Sequence, residues 1–491
     1  MRTLLIPMLM LAATGLSAQM RVVAQRSDSP LVTFRIVFLT GAAADPSGQE
    51  GVASLAASML SQGGTREMSY KQIVDAMYPM ATSVSSQVDK EMTVFSATTH
   101  VDNLDAFYKI FRAMLLDPGW RADDFERLRD DAINFLRVSL RGNNDEELGK
   151  EVLYNVIYNG HAYGHHNAGV VSALQKMTVA DLQTFYKANY TKDNLILGIA
   201  GGYSPAFLER VKKDFEELPA KGKHTPKYDA PKAVRGIRVT MIEKDTRSVA
   251  YSFGFPIEVK RGHPHFPALL LAQAYFGQHR MSGGRLYNRL REARGLNYGD
   301  YAYIEYFPRG MFQFEPDPNL ARPSQIFQIW IRPLEPATAH FALRLAMYEL
   351  DKFVREGISK DDFERWRSFL SKYVNLLTKT KAAELGYAID SQYYGTPEYT
   401  TYIRNSLAKL SVDDVNRAIR KHLRTTDLDL VIVAKGCEEL KKSFLGGAPS
   451  PMNYNSPKSA EILEEDKIVE KWKIGFQPEA FRIIPVDQVF E

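Results

Sequence analysis

The feature that most restricts how this chain can fold is that it repeats itself once. Asp123-Asp124-Phe125-Glu126-Arg127 returns as Asp361-Asp362-Phe363-Glu364-Arg365, an offset of 238 (361 − 123), and each copy opens a helical pattern, Leu128 to Leu140 and Trp366 to Leu377. Carboxylates in a first turn suit the positive end of a helix. A second match follows in the same order: Thr178-Val179-Ala180-Asp181-Leu182 and Ser411-Val412-Asp413-Asp414-Val415, 233 apart (411 − 178). Both read as an N-cap and the helix it starts. Each leads into a strand pattern, Leu195 to Ile199 and Leu428 to Val433. An offset this long and this steady describes two related halves of about 200 residues, not a short-period solenoid.

The joint between the halves shows in composition. Residues 218–236 hold Pro219, Pro226 and Pro231 among Lys221, Lys223, Lys227, Lys232 and Arg235, which reads as a linker. Each half opens on an alternating strand, Leu31 to Phe38 and Val249 to Phe255, and passes into helical stretches, which predicts an α+β unit used twice. The expected organisation is 19–217 for the first half, 237–436 for the second and 437–491 for an extension. In the extension, Gly446 to Pro451 reads as a loop, Ala460 to Trp472 as a charged helix and Phe481 to Val486 as a last strand.

The first residues set the expected compartment. Arg2, an apolar run from Leu4 to Ala13 and the small residues of Gly15-Leu16-Ser17-Ala18 have the layout of a secretory signal peptide cut after Ala18. The run is shorter than a membrane span, and no later segment is apolar enough to be one. The expectation is a soluble, exported, periplasmic protein. Cys437 is the single cysteine, so no intrachain disulfide is available. Lys and Arg exceed Asp and Glu by only 62 to 58, without the concentrated basic face of a nucleic-acid binder.

Several motifs point to one family. Gly41-Ala42-Ala43-Ala44-Asp45-Pro46, then Gly51 to Leu60, then Gly63-Gly64-Thr65 resemble the opening of the insulinase or pitrilysin-type (M16) peptidases, in which a strand leads into a helix carrying H-x-x-E-H. Gly283-Gly284-Arg285-Leu286 and Leu290 to Tyr298 resemble that family's second-half signature, an Arg and a Tyr seven positions apart, here Arg291 and Tyr298. The stretch from His161 to Gly169 and the helix from Asp181 to Tyr190 follow the same pattern. The resemblance implies two homologous halves, each an antiparallel sheet covered by helices, that form a clamp.

It also exposes a departure. Active members hold zinc with the two His of H-x-x-E-H and use its Glu as general base, because residues four apart share one helix face. The matching residues here are Ser54, Ala57 and Ser58. Serine hydroxyls are poor zinc ligands and Ala57 cannot accept a proton. The family's third ligand, a Glu on a later helix, falls on Asn134 or Phe135, with Asp130 and Asp131 nearby. No metal site and no catalytic residue are therefore expected in this chain.

His161, His165 and His166 sit among Gly160, Gly164 and Gly169, which disfavour a helix, so a structural loop is expected rather than a metal site. His263 and His265 flank Pro264 and read as a turn before a helix. Neither glycine pair, Gly201-Gly202 or Gly283-Gly284, opens a phosphate loop, and no G-x-S-x-G occurs. Arg291 and Tyr298 remain. A guanidinium and a phenol can hydrogen-bond a peptide carbonyl or an oxyanion without a metal, and the resemblance implies substrate contact by both, with Arg285 and Arg294 structural or solvated.

The sequence thus leads to an inactive M16-like subunit. It would pair with a zinc-bearing M16 peptidase chain, as heterodimer or higher assembly, and bind peptide or unfolded polypeptide. The alternatives are a non-proteolytic scaffold of a periplasmic or envelope assembly, and a zinc metallopeptidase with an unusual metal site.

Overall fold

The computed structural model describes residues 20–222 and 229–491. The expected signal peptide and residues 223–228 of the expected linker lie outside the described residues. The first half runs β1 (Arg21–Arg26), β2 (Leu31–Phe38), α1 (Val52–Gln62), α2 (Tyr70–Met77), β3 (Val84–Val88), β4 (Thr93–His100), α3 (Leu104–Leu116), α4 (Ala122–Asn134), α5 (Asp145–Ile157), α6 (Val171–Leu174), α7 (Val179–Asn189), β5 (Leu195–Gly201) and α8 (Pro205–Phe215). The second runs β6 (Ile237–Glu243), β7 (Val249–Ile257), α9 (Phe266–Gly277), β8 (Gly299–Tyr303), β9 (Gln325–Leu334), α10 (Pro336–Glu356), α11 (Lys360–Tyr373), α12 (Lys381–Tyr394), α13 (Tyr399–Lys409), α14 (Val412–His422), β10 (Leu428–Ala434) and α15 (Cys437–Leu445). Then come α16 (Ala460–Val469) and β11 (Phe481–Pro485).

The repeat is carried into the sheets. The first is ordered β1-β5-β2-β4-β3 and the second β6-β10-β7-β9-β8, with β11 added outside β6. The matching helix starts are built alike: Thr178 caps α7 in a reciprocal box with Asp181, and Ser411 caps α14 in the same way with Asp414.

Two expectations need correction. The sheets are mixed, not antiparallel. β1 pairs parallel with β5, β6 parallel with β10, and β11 parallel with β6. β1 and β6 each precede the strand read as the start of a half. Nearly the whole half then separates β1 from β5, and β6 from β10, which leaves ample chain for the crossover that parallel pairing requires. The second correction concerns α4, which stops at Asn134 and gives way to a π-helical stretch, Phe135–Leu140, instead of running as one α-helix to Leu140.

The halves are joined by an exchange of helices. α5 of the first half lies on β7 and β10 of the second, while α12 lies on β5, β2 and β1 of the first. This is why β2 is buried on both faces from Val32 to Phe38, although its alternation suggested one wet side. Leu385 and Ile389 of α12 pack with Val37, Ile196 and Ala200. Leu148 and Val152 of α5 share a core cluster with Val431 and Val433. Each fully buried leucine contributes about 1.5–3 kcal/mol.

The close approach depends on a glycine in each helix. A Cβ at Gly149 would lie 3.0 Å from Ser252 Oγ, and one at Gly386 would lie 2.5 Å from Pro318 Cγ and 3.2 Å from Arg35 Cζ. Both sit in Glu-Leu-Gly, Glu147-Leu148-Gly149 and Glu384-Leu385-Gly386, a third repeated element.

The halves differ most between the last two strands. Residues 89–92 join β3 to β4, whereas 304–324 join β8 to β9. This longer segment reaches the first half. Arg322 grips buried Asp89 with two hydrogen bonds, one of 2.8 Å, Tyr306 donates to Glu151 (2.8 Å), and Asn319 accepts from Arg35 (2.8 Å). Among the described residues, no helix is long and apolar enough to cross a membrane.

Candidate functional site

The helix that the resemblance singles out is α1. Its first turn is capped from a distance: Asp45 accepts from the amides of Gly51 (2.7 Å) and Ala53 (3.0 Å), and His165 Nε2 lies 3.1 Å from the same carboxylate. Gly51 (φ +105°) and Gly169 (φ +95°) stand back to back, and a Cβ on either would meet the other's backbone within 3 Å. The loop from His161 to Gly169 is thereby seated on the start of α1, which is the structural role expected for it. At the far end, Gly64 donates to Asp124 (2.9 Å), so the first copy of the repeated Asp-Asp-Phe-Glu-Arg ties α4 to α1.

At the positions assigned to zinc chemistry, little is free. Ser54 spends its hydroxyl on the Asn167 carbonyl (2.5 Å). Ala57 is 0% exposed and belongs to the core; Ser58 is half-buried. Asn134 and Phe135 lie exposed where α4 gives way to the π-helix. The Phe135 ring is 5.8 Å from that of His166, whose pKa burial lowers to about 3, so this imidazole is neutral. Asp130 and Asp131 are exposed and face Arg129 and Arg127. Among the described residues, no three His, Cys, Asp or Glu side chains are grouped so as to hold a metal ion. A donor set of one committed hydroxyl, a methyl, a half-buried hydroxyl, an exposed amide and a phenyl ring does not fit zinc.

The second-half candidates are arranged differently. Arg291 lies in another π-helical stretch, Tyr287–Glu292, which ends when Gly295 (φ +68°) donates to the Arg291 carbonyl (2.7 Å). Such widened turns recur at functional sites. The chain then returns to the start of β8, bringing Tyr298 back against Arg291. The guanidinium carbon lies 4.1 Å from the Tyr298 ring centre and 4.9 Å from that of Tyr287, and one guanidinium nitrogen donates to the Tyr298 carbonyl (3.3 Å). Tyr298 is 66% exposed.

Neighbouring arginines are committed elsewhere. Arg285 and Arg289 bond Glu349 at 2.6 and 2.9 Å, and buried Arg294 bonds Glu465 and Asp466 at 2.7 and 2.8 Å. Of these four, Arg291 alone pairs with no carboxylate among the described residues. Its remaining N–H groups can serve a carbonyl or carboxylate. β8 beside it ends its sheet, yet all five of its residues are buried and the Ala302 carbonyl accepts from Gln273 of α9 (2.7 Å); β3, beside α1, ends the first sheet.

Sequence reasoning passed over three features. Asp300, on β8, is buried and receives a hydrogen bond from Asn297; burial raises its pKa to about 7. The turn at His263 and His265 is as expected, but it meets His422 at the end of α14, with His265 Nδ1 and His422 Nε2 2.7 Å apart. Only the fold could reveal a partner so distant in sequence. The Glu-Leu-Gly repeat was legible as a third match in register with the other two.

These features agree with known proteins. Residues 21–169 match Insulinase (Peptidase family M16) and residues 176–370 match the Peptidase M16 inactive domain. The chain belongs to the M16 peptidase family.

Its relatives carry divergent names. An uncharacterized zinc protease YmxG of Bacillus subtilis is 23% identical over 49% of this chain and 57% of its own length. The chain therefore spans just over half the length of that relative. A non-peptidase homolog YmxG of Helicobacter pylori is 20% identical over 82% of this chain and 89% of its own length. The mitochondrial-processing peptidase subunit beta of Dictyostelium discoideum is 21% identical over 42% and 44%. A crystal structure titled as a peptidase M16 inactive domain from Pseudomonas fluorescens superposes with TM-score 0.75 at 20% identity, covering 85% of this chain and 96% of that one. It shares the two-domain fold, α+β with two mixed sheets, each covered by helices.

Proposed function

We propose that this chain is a non-catalytic M16 subunit that pairs with a zinc-bearing M16 peptidase chain and helps to enclose the peptide. The observation that carries the reading is the contrast between its two candidate sites. On α1, Ser54, Ala57 and Ser58, with Asn134 and Phe135 opposite, offer no set of metal donors and no base. Arg291 is half-buried against the exposed Tyr298 ring, and the pair keeps donors to spare. The relative from Dictyostelium, named as a subunit, favours pairing. In this reading zinc belongs to the partner, whose metal activates the water. Arg291 and Tyr298 hold the peptide backbone. The opening residues, read as a signal peptide, assign the work to the periplasm.

The test is reconstitution. The purified chain is mixed with a zinc-bearing M16 chain from the same source and followed by size-exclusion chromatography and cleavage of a quenched peptide. Co-elution with chelator-sensitive cleavage above that of the zinc chain alone is expected. Separate elution sinks the reading.

The Helicobacter relative, named a non-peptidase homolog, favours a second reading as a scaffold without proteolysis. It gains if Arg291→Ala leaves a reconstituted rate unchanged. Stoichiometric zinc in the isolated chain would instead revive an unusual metal site.

A further inference from the structure

Residues 486–491 leave the second sheet at the end of β11 and finish on the first half. Their contacts there are specific. The Val489 carbonyl accepts from Arg141 Nε (2.5 Å), the Phe490 carbonyl from the Val171 amide (3.0 Å) and the Glu491 carbonyl from the Ser172 amide (2.8 Å). The Glu491 side chain is shared by Arg137 (2.5 Å) and Arg141 (2.7 Å). Val489 and Phe490 are buried in the first half's core cluster, and the Phe490 ring lies 5.4 Å from that of His166. An open cleft of about 810 Å³ runs alongside, lined in part by Arg137, Arg141, Lys244 and Asp487.

Three successive carbonyls, two buried apolar side chains and one acidic side chain are thus read by one surface. That is how short linear peptides are recognised. Arg141 is itself buried and serves both the backbone and the carboxylate, and Phe490 sits at φ +56° just after the 3-10 turn Val486–Gln488, so the surface selects for sequence as well as for this turned shape.

We propose that the first half carries a docking site for a linear apolar–Phe–acidic segment, and that Val489-Phe490-Glu491 of this same chain is its occupant. The tether raises the effective concentration of the segment to the millimolar range. The tail is thereby kept in place as a strap from the second sheet to the wall beside Phe135 and His166, and an untethered segment of the same chemistry enters only when the strap lifts.

The experiment uses a chain ending at Pro485 and a fluorescent hexapeptide Val-Asp-Gln-Val-Phe-Glu blocked at both ends. The shortened chain is expected to bind it, and the full chain at least ~10-fold more weakly. Replacing Phe by Ala in the peptide, or Arg141→Ala in the shortened chain, is expected to weaken binding by at least ~10-fold. A folded shortened chain that ignores the peptide, or binds the Phe and Ala forms equally, overturns the proposal. If the shortened chain does not fold, hydrogen exchange decides on the full chain with Phe490→Ala and Glu491→Gln. The Val171 and Ser172 amides should then exchange at least ~10-fold faster while those of β10 do not change. Unchanged exchange at Val171 and Ser172 overturns it as well.

Discussion

The two halves share a strand order and a helix order, yet their surfaces at the candidate positions are opposites. In the first half, α1 is absorbed into structure: Ser54 is spent on a loop, Ala57 on the core, and the start of the helix on Asp45. In the second half, the turn before β8 leaves half-buried Arg291 stacked on the exposed Tyr298 ring, with buried Asp300 on the adjoining strand. The fold therefore does not depend on the chemistry it can carry.

The largest expected effect tests how far the halves depend on each other. Asp89→Ala leaves the buried Arg322 guanidinium unpaired at the junction and should cost about 3–5 kcal/mol in urea unfolding. A loss under about 1 kcal/mol would mean that this pair adds little to what holds the halves together.

Next comes Asp300. The folded chain holds its proton up to about pH 7, whereas an unfolded Asp releases it near pH 3.9. The folded state thus binds the extra proton, and this group lowers stability as pH rises from about 4 to about 7. Asp300→Asn should remove that fall, raising stability at pH 8 by no more than about 4 kcal/mol and leaving pH 4 unchanged. Part of the slope should persist, because burial also raises Glu91 to about 7. Thermal melts at the two pH values read the difference.

The crossed glycines are a smaller contrast. Gly386→Ala drives a methyl into Pro318 and should cost about 1–3 kcal/mol, while Gly149→Ala meets Ser252 Oγ at 3.0 Å and Val433 Cγ2 at an ordinary 3.6 Å. Denaturant midpoints should place Gly386→Ala below Gly149→Ala; equal losses would show that the two crossings are equally tight.

The smallest effects concern Arg291 and Tyr298. In the reconstituted peptidase, Arg291→Ala should lower kcat/KM about 10-fold and Tyr298→Phe about 3-fold, both without a change in melting temperature.

Local patterns made the repeat readable. The boxes at Thr178 and Ser411 need only neighbours three residues away, and the acidic helix starts need only the backbone dipole. The run of small residues around Ser54, Ala57 and Ser58 was equally plain, as was the Arg291–Tyr298 spacing. What escaped was non-local. Parallel closure of β1 on β5 joins the two ends of a half, and burial of both faces of β2 comes from a helix of the other half. The meeting of His265 with His422 and the capture of Phe490 beside His166 likewise depend on the completed fold. Periodicity reports which side of a strand its own neighbours cover, and says nothing about a distant element that covers the other.

The exchange of α5 and α12 has a consequence for ancestry. A single half with this architecture would leave one sheet face bare and one helix without a bed. Two identical copies would cure both defects by lending each other that helix. The present chain, with its repeated helix starts and its Glu-Leu-Gly in each crossing helix, has the form of such a pair joined in one polypeptide.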